Sequence, residues 1–490
     1  MGDDVRALKA DAANRLRNRR AAEAAELFER LTKLEPDEPN HWFNLGYSRR
    51  VARMYQPALD AYAEALKRNV RDPQDVHINR AAILSEHLHD IPAAAEELRA
   101  AVAANPRAAT AWLNLGNLAE DVGDTDQAKQ AYARALEVDP GNGRAAGRLA
   151  GLHVHEGHAE RAITMLREAA ARQWRSAQEA AEVHFALGNA LDAAGDYSAA
   201  FAAVAEGNRL GLAGRNPNLR YDPAAMEELV AALIALPPTT AADPASAGAT
   251  PIFICGMFRS GSTLVEQLLA RHPQITAGGE LEFIPSMVRE ELQPYPQVLE
   301  TASGERLRAL RDEYLEQVRR LFPEAKRVTD KRPDNFLHIG LIKALFPGAR
   351  IVHTVRNPLD NILSVFFLYF ADTVTYSLQL ADIAHYYGQY RRLMGHWQER
   401  FGPDIHDVDY DVLVGDARME LQPLLAFLDL EWDEACLSHD ATSAVRTASN
   451  WQVRKPLHAR SSGRWRHYAR EIESVRRQLI DAGLLTGSGA

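Results

Sequence analysis

A glycine-containing loop between an apolar run and a helical pattern constrains the fold of this chain more than any other feature. Residues 251–255 are apolar, residues 256–263 read Gly-Met-Phe-Arg-Ser-Gly-Ser-Thr, and residues 264–270 have a helical composition. This order predicts a strand, a phosphate-binding loop and a helix, whose N-terminal N–H groups hold an anion. Related loops in ATP-hydrolysing proteins carry a lysine where this chain has Ser262. The loop therefore predicts an anion site without ATPase chemistry.

The composition is that of a folded, water-soluble protein with more than one domain. The chain has 490 residues, of which 46% are hydrophobic and 25% charged, and this length predicts two or three domains. The formal net charge of −10 argues against general affinity for nucleic acid.

The expected location is cytoplasmic. The two cysteines, Cys255 and Cys436, cannot form a disulfide framework, which favours a reducing compartment. The first residues lack the apolar core of a signal peptide, and no apolar stretch approaches the roughly 20 residues that a membrane span needs.

The first part of the chain repeats itself about every 34 residues, with prolines expected to close helices at Pro36, Pro73, Pro106 and Pro140. Residues 42–46 read Trp-Phe-Asn-Leu-Gly and residues 112–116 read Trp-Leu-Asn-Leu-Gly, each followed by a small–large–small pattern at helical spacing. The match resembles the tetratricopeptide repeat (TPR), which implies an α-solenoid that binds peptide or protein. We expect this domain to cover residues 1–212.

A second domain with a different pattern is expected after a helix and linker over residues 213–250. Apolar strands alternate with helices from there on, at 251–255 and 349–355 and more weakly at 327–329 and 405–410. This order predicts an α/β P-loop-like domain with a central parallel sheet over residues 251–485. Ligands of such sheets bind at the carboxyl ends of the strands.

The loop itself supplies the first candidate ligands of the anion. The N–H groups from Ser260 through Gly261 and Ser262 to Thr263 and the Arg259 side chain can hold a phosphate-like group.

Two motifs about a hundred residues apart resemble those of sulfotransferases. Residues 258–264, Phe-Arg-Ser-Gly-Ser-Thr-Leu, are similar to the 5′-phosphosulfate loop, and residues 351–358, Ile-Val-His-Thr-Val-Arg-Asn-Pro, to the 3′-phosphate motif. The resemblance implies the donor 3′-phosphoadenosine 5′-phosphosulfate (PAPS), the product PAP and no metal. It also implies that Arg356 and Ser364 hold the ribose 3′-phosphate, for which the planar fork of arginine is suited.

Further motifs resemble the protein-tyrosine sulfotransferase branch. Arg259 stands where many small-molecule sulfotransferases have lysine, and His-Pro at 272–273 is followed by Gly-Gly-Glu-Leu-Glu at 278–282. An ungapped alignment from Arg259 implies that Glu280 is the catalytic base. The resemblance of residues 329–335 implies that Lys331 is the catalytic lysine.

The remaining implied site residues lie further along the chain. The resemblance of residues 449–456 implies that Ser449 acts with Lys331 on the oxygen that leaves sulfur. Similarity around Tyr410 and Arg464 implies that both contact the donor. An excess of basic residues between 446 and 470, with no acid, also suits a multiply charged nucleotide and is interpreted as a flap over it.

Several alternatives remain open at this point. Glu282 is a rival base, three histidines (His272, His338 and His353) are weaker ones, and Lys331 could belong to a surface pair with its neighbour. Leu368 stands where the family has an extra basic residue, and a neighbouring arginine is expected to compensate.

The acceptor is expected to be a peptide or protein tyrosine, with a glycan or small phenol as the alternative, and a homodimer is left open. A P-loop kinase and an inactive repeat scaffold are the other classes considered.

Overall fold

The computed structural model describes residues 2–18, 20–88, 90–237, 251–370, 372, 374–438 and 461–485. Its contacts divide the chain into two compact units, Met1–Ala194 and Gly195–Ala490. In the described part of the chain, no helix is both long and apolar enough to cross a membrane.

The first unit is built of antiparallel helices in which each helix packs mainly against its sequence neighbours. This is the arrangement of an α-solenoid, as predicted. The helices are α1 (Gly2–Arg17), α2 (Ala21–Leu34), α3 (Pro39–Val51), α4 (Tyr55–Lys67), α5 (Pro73–Glu86), α6 (Ile91–Ala104), α7 (Ala109–Val122), α8 (Thr125–Val138), α9 (Gly143–His155), α10 (Ala159–Ala170) and α11 (Ala177–Ala194).

The repeated glycines and tyrosines explain why paired helices pack so closely. A Cβ atom at Gly46 would lie 2.7 Å from the ring of Tyr62, and one at Gly116 would lie 2.5 Å from the ring of Tyr132. Both tyrosines are fully buried. The small–large pattern of the sequence is therefore a close contact between consecutive helices.

The repeated tryptophans hold the turns that precede their helices. The indole N–H of Trp42 donates to the carbonyl of Pro36 at 2.8 Å, and that of Trp112 donates to the carbonyl of Pro106 at 2.9 Å. Pro73 differs from these prolines, because it opens α5 at its first position instead of closing a helix. Proline suits this position, where its missing N–H costs no helical hydrogen bond.

The second unit contains a sheet with helices on both faces, preceded by two helices. The elements are α12 (Tyr197–Gly214), α13 (Pro223–Ala235), β1 (Ile252–Gly256), α14 (Ser262–Leu269), β2 (Ile275–Thr276), α15 (Phe283–Glu290), α16 (Gly304–Leu321), β3 (Arg327–Lys331), α17 (Ile339–Leu345), β4 (Ile351–Val355), α18 (Pro358–Phe366), α19 (Leu380–Phe401), β5 (Ile405–Asp409), α20 (Tyr410–Gly415), α21 (Ala417–Phe427) and α22 (Glu473–Asp481).

The sheet is parallel throughout, with the order β2-β3-β1-β4-β5. The predicted α/β class with a central parallel sheet is confirmed, and the four predicted strands are present. The two-residue strand β2 contains no apolar run from which it could have been predicted. Tyr410, predicted as the end of a strand, instead begins α20.

Both faces of the central strand β1 are covered, which explains its unbroken apolar sequence. Ile252 and Ile254 pack into a core that α14 and α21 complete. Phe253 points to the other face, where its ring lies 6.1 Å from that of Tyr314 and 5.8 Å from that of Phe346. The carboxyl end of β1 is therefore held in a fixed position beside its neighbours β3 and β4.

Candidate active site

The anion loop follows β1 and runs directly into α14. Gly261 caps the helix with a φ of 104°, and a Cβ atom there would lie 2.4 Å from a ring carbon of Tyr410. The first N–H groups of α14 have no partner inside the helix and are available to an anion. The amide of Ser260 is not, because it donates to the carbonyl of Met257 at 3.1 Å. The Ser260 hydroxyl instead lies 2.6 Å from Thr354 Oγ1 on β4.

Two arginines meet beside this loop, Arg356, which is buried, and Arg259, which is partly exposed. Arg259 Nε donates to Ser364 Oγ at 3.1 Å, and Arg356 Nη1 donates to the carbonyl of Arg259 at 3.0 Å. Burial, and then the charge of Arg356, lower the pKa of Arg259 to about 10. Burial also lowers the pKa of Arg356. The site therefore concentrates positive charge that a bound anion would stabilise.

Arg356 is held on several sides by groups that leave part of its guanidinium unsatisfied. Its Nη2 donates to the carbonyl of Ser461, and its Cζ lies 4.6 Å from the centre of the Tyr410 ring. Its Nε is buried without a hydrogen-bond partner in the described part of the chain. A buried donor in this state is costly, and an anion oxygen would satisfy it.

Asp360 on α18 holds the basic segment 461–468 beside the arginines. Its carboxylate accepts from Gly463 N at 2.6 Å and from Trp465 N at 2.8 Å, and the residue is 2% exposed. Arg464 on this segment lies with its Cζ 4.4 Å from the centre of the Phe367 ring, next to Leu368. Sequence reasoning missed Asp360, because nothing local distinguishes it from an ordinary first-turn helix acid.

A second cluster lies at the end of β3, on the other side of β1. Lys331 Nζ donates to Glu280 Oε1 at 2.6 Å. The lysine side chain is fully buried, whereas that of Glu280 is 43% exposed. Lys331 is thus not part of a surface pair, and the reactive groups predicted at these positions are in direct contact.

The rival carboxylate Glu282 has a different partner. It accepts from Arg332 Nη1 at 2.6 Å, and Arg332 also pairs with Asp334 at 3.2 Å. Glu280 and Glu282 are therefore each bound to a cation, but only Glu280 contacts the buried lysine.

A buried polar network supports the strand that carries Lys331. Asp330 is fully buried and accepts from Tyr314 OH at 2.8 Å and from Asn335 Nδ2 at 3.3 Å. Burial raises the pKa of Asp330 to about 7, although the Tyr314 and Asn335 hydrogen bonds oppose this shift. These residues were also missed by sequence reasoning.

The three histidines considered as alternative bases have structural partners. His272 is in hydrogen-bond contact with the carbonyl of Glu431 at 3.2 Å, and His338 lies 3.1 Å from Tyr295 OH. His353, on the buried strand β4, contacts Asp407 and Tyr390 through its two ring nitrogens. None of these contacts involves the anion loop or the Lys331–Glu280 pair.

Some predicted residues cannot be related to this geometry. Ser449 and the basic residues Arg446, Arg454, Lys455 and Arg460 lie outside the described residues. Ser262 and Thr263 are described, and both are buried in the first turn of α14.

The residues present fit a ligand with two separated anionic groups. One group would meet the start of α14, and the other would meet Arg356, which precedes α18, and Ser364, in the last turn of α18. The parallel sheet, with a glycine loop and two arginines at its strand ends, defines the class as an α/β domain whose loop has the form of a phosphate-binding loop.

Comparison with known proteins gives this class a family. Residues 251–434 match the sulfotransferase family, and residues 11–76, 87–122 and 119–180 match tetratricopeptide repeats. The chain therefore carries tetratricopeptide repeats and, after them, a domain of the sulfotransferase family.

Individual relatives are distant. An uncharacterised protein of Aquifex aeolicus is 26% identical over 90% of this chain and 59% of its own length. Protein-tyrosine sulfotransferase 1 of Danio rerio is 23% identical over 44% of this chain and 65% of its own length. The chain thus spans about three fifths of the length of these relatives. The solved sulfotransferase domain of the Synechococcus PCC 7002 olefin synthase is 24% identical over 46% of this chain and 90% of its own, with a TM-score of 0.36.

Proposed function

We propose that this chain transfers a sulfuryl group from PAPS to an acceptor hydroxyl and releases PAP. The observation that carries the proposal is the pair of clusters on either side of β1. Arg259, Arg356 and Ser364 form the first, and the contact of Lys331 with Glu280 forms the second. The first cluster suits the anionic groups of the donor, and the second suits the transfer of its sulfuryl group to the acceptor.

The first cluster and the loop would bind the donor. The amides at the start of α14 and Arg259 would hold the 5′-phosphosulfate, and Arg356 with Ser364 would hold the 3′-phosphate. Tyr410 and Arg464 lie around these groups and would complete the site. The unsatisfied Nε of Arg356 supports this assignment.

The second cluster would carry out the transfer. Glu280 would accept the proton of the acceptor hydroxyl as its oxygen bonds to sulfur. Lys331, together with Ser449, would donate to the bridging oxygen on which negative charge develops as its bond to sulfur breaks. The direct contact of Lys331 with Glu280 supports their acting at one reaction centre. No metal has a role in this scheme.

We propose a tyrosine of a peptide or protein as the acceptor, with the tetratricopeptide repeats binding that acceptor or a partner protein. The matches to protein-tyrosine sulfotransferases and the general use of helical repeats in peptide binding support this choice. A glycan or a small phenol is the alternative acceptor. Both cysteines are free and buried, which supports a cytoplasmic location.

The test is transfer of label from PAPS carrying radioactive sulfur, using the full chain with a tyrosine peptide library, glycans and small phenols. Glu280→Ala should lower the turnover number about 10²- to 10⁴-fold, the usual contribution of a general base. Glu282→Ala is the matched control and should retain most activity. Equal losses in both variants would remove Glu280 as the base, and label on glycans or phenols alone would reject the tyrosine acceptor.

Donor binding is tested separately with PAP by titration calorimetry. Arg356→Ala should weaken PAP binding strongly, whereas Arg350→Ala, at the residue directly before β4, should not. Unchanged affinity of Arg356→Ala would refute the assignment of the 3′-phosphate.

A further inference from the structure

Glu266 is a carboxylate buried in the helix that follows the anion loop, and the proposed function gives it no role. It is 2% exposed and lies on α14, between the apolar core residues Val265 and Leu268. A buried carboxylate is costly unless hydrogen bonds satisfy it. Its partners therefore indicate what it does.

These partners belong to the two segments that carry the reactive groups. Glu266 Oε1 accepts from Thr329 Oγ1 at 2.6 Å and from Gly279 N at 2.9 Å. Thr329 lies on β3, two residues before Lys331, and Gly279 directly precedes Glu280. One oxygen atom of α14 thus joins the anion loop's helix to both sides of the Lys331–Glu280 pair.

Further hydrogen bonds close a small network around this oxygen. Gly278 N donates to Thr329 Oγ1 at 3.0 Å, so the hydroxyl accepts from the loop while it donates to Glu266. Lys331 N donates to the carbonyl of Gly279 at 2.9 Å. A Cβ atom at Gly278 would lie 2.1 Å from the carbonyl oxygen of Thr329, so the loop runs directly against the strand.

We propose that Glu266 is a positioning residue, which fixes the loop of Glu280 and the strand of Lys331 relative to the bound donor. This inference rests on the proposed function. The half-exposed Glu280 side chain is held by its hydrogen bond to Lys331, so the position of its backbone decides where its carboxylate can reach. Displacement of a reactive group by about 1 Å can cost about 10²-fold in rate.

The first test compares two substitutions of the same residue. Glu266→Gln keeps a carbonyl oxygen for both donors and should retain the turnover number within about threefold. Glu266→Met fills the same space without an acceptor and should lower the turnover number about 10²-fold, with the affinity for PAP nearly unchanged. Gln267→Met, the next residue on α14, is the matched control and should behave as wild type.

Coupling to Glu280 separates positioning from general damage. If Glu266 acts through Glu280, the loss caused by Glu266→Met should be much smaller in a Glu280→Ala background. Fully additive losses, a parallel loss of PAP affinity, or equal defects in Glu266→Gln and Glu266→Met would each overturn the proposal.

Amide hydrogen exchange gives a measurement that is independent of the reaction. In Glu266→Met, the Gly278 and Gly279 amides should exchange at least about tenfold faster than in wild type. Gly279 N loses its acceptor directly, and Gly278 N is affected because its acceptor, the Thr329 hydroxyl, loses its own bond to Glu266. Thr329→Val removes the relay and should accelerate exchange at Gly278, and it serves if Glu266→Met fails to fold. Unchanged exchange in a folded variant would refute the link. Absence of sulfuryl transfer by wild type would instead reject the proposed function. The exchange measurement would then still test whether Glu266 holds the loop at residues 278–279.

Discussion

Replacement of Asp360 by asparagine should loosen the attachment of segment 461–468 and weaken binding of PAP. The aspartate accepts two short backbone hydrogen bonds, from Gly463 and Trp465. Asparagine keeps one acceptor but turns its NH₂ group toward the other N–H, which leaves that donor unsatisfied. Such a loss costs about 2 kcal/mol. It corresponds to a factor of about 30, which is the largest loss of PAP affinity expected by this route.

The assay has two independent measurements. Titration calorimetry with PAP should give a dissociation constant raised by between about 5- and 30-fold in Asp360→Asn, with the turnover number at saturating PAPS within about twofold of wild type. Amide exchange without ligand should be faster at Gly463 and Trp465. Asp312→Asn, at a surface carboxylate 64% exposed, is the control.

Two results would refute this reasoning. Unchanged exchange at both amides would show that Asp360 does not hold the segment. Faster exchange with unchanged PAP affinity would show that the segment is held but does not contribute to binding of the nucleotide.

Three further predictions concern the loop, the repeats and pH. Gly261→Ala should cost about 1–3 kcal/mol and lower PAP affinity, because alanine is strained at a φ of 104° and meets an aromatic ring at 2.4 Å; Gly304→Ala, with open space around it, is the calorimetric control. Gly116→Ala should lower the urea midpoint of the repeats by an amount equivalent to about 1–3 kcal/mol through overpacking, whereas Gly151→Ala should not; equal midpoints would contradict the close contact. Asp330 has a pKa of about 7 in the folded protein, against an ordinary value of 3.8. Between these two pH values, the folded chain therefore binds more protons at this residue than the unfolded chain. The free energy of unfolding should therefore fall as pH rises through this window, by at most about 4 kcal/mol, and a wild-type curve parallel to that of Asp330→Asn in denaturant titrations would refute it.

The sequence predicted those features that a short segment specifies by itself. The apolar run before a glycine loop specified β1 and the start of α14, and the repeated Trp-x-Asn-Leu-Gly segments specified the paired helices of the first unit. Arg259, Arg356 and Ser364 were found because each lies in a motif of a few residues. Their hydrogen bonds to one another are consistent with a shared site, although their roles stay predictions.

The residues that the sequence missed are buried acids whose partners are distant along the chain. Glu266 bonds to Thr329 across 63 residues, and Asp360 bonds to Gly463 across 103 residues. Burial is a property of the assembled fold, so local sequence gives these carboxylates the appearance of solvated helix residues. The prediction for the Ser260 amide failed for a related reason, because a turn to Met257 takes up that N–H.

The central place of β1 has a consequence for how this domain can change. The strand separates the arginines beside β4 from the lysine and glutamate beside β3, so the two groups belong to different neighbouring strands. Under the proposed function, substitutions on one side should alter which nucleotide is held, while those on the other should alter which hydroxyl is activated. The two halves meet at the loop and at α14, where Glu266 accepts hydrogen bonds from Thr329 and Gly279, so substitutions that keep Glu266 should leave the two halves aligned.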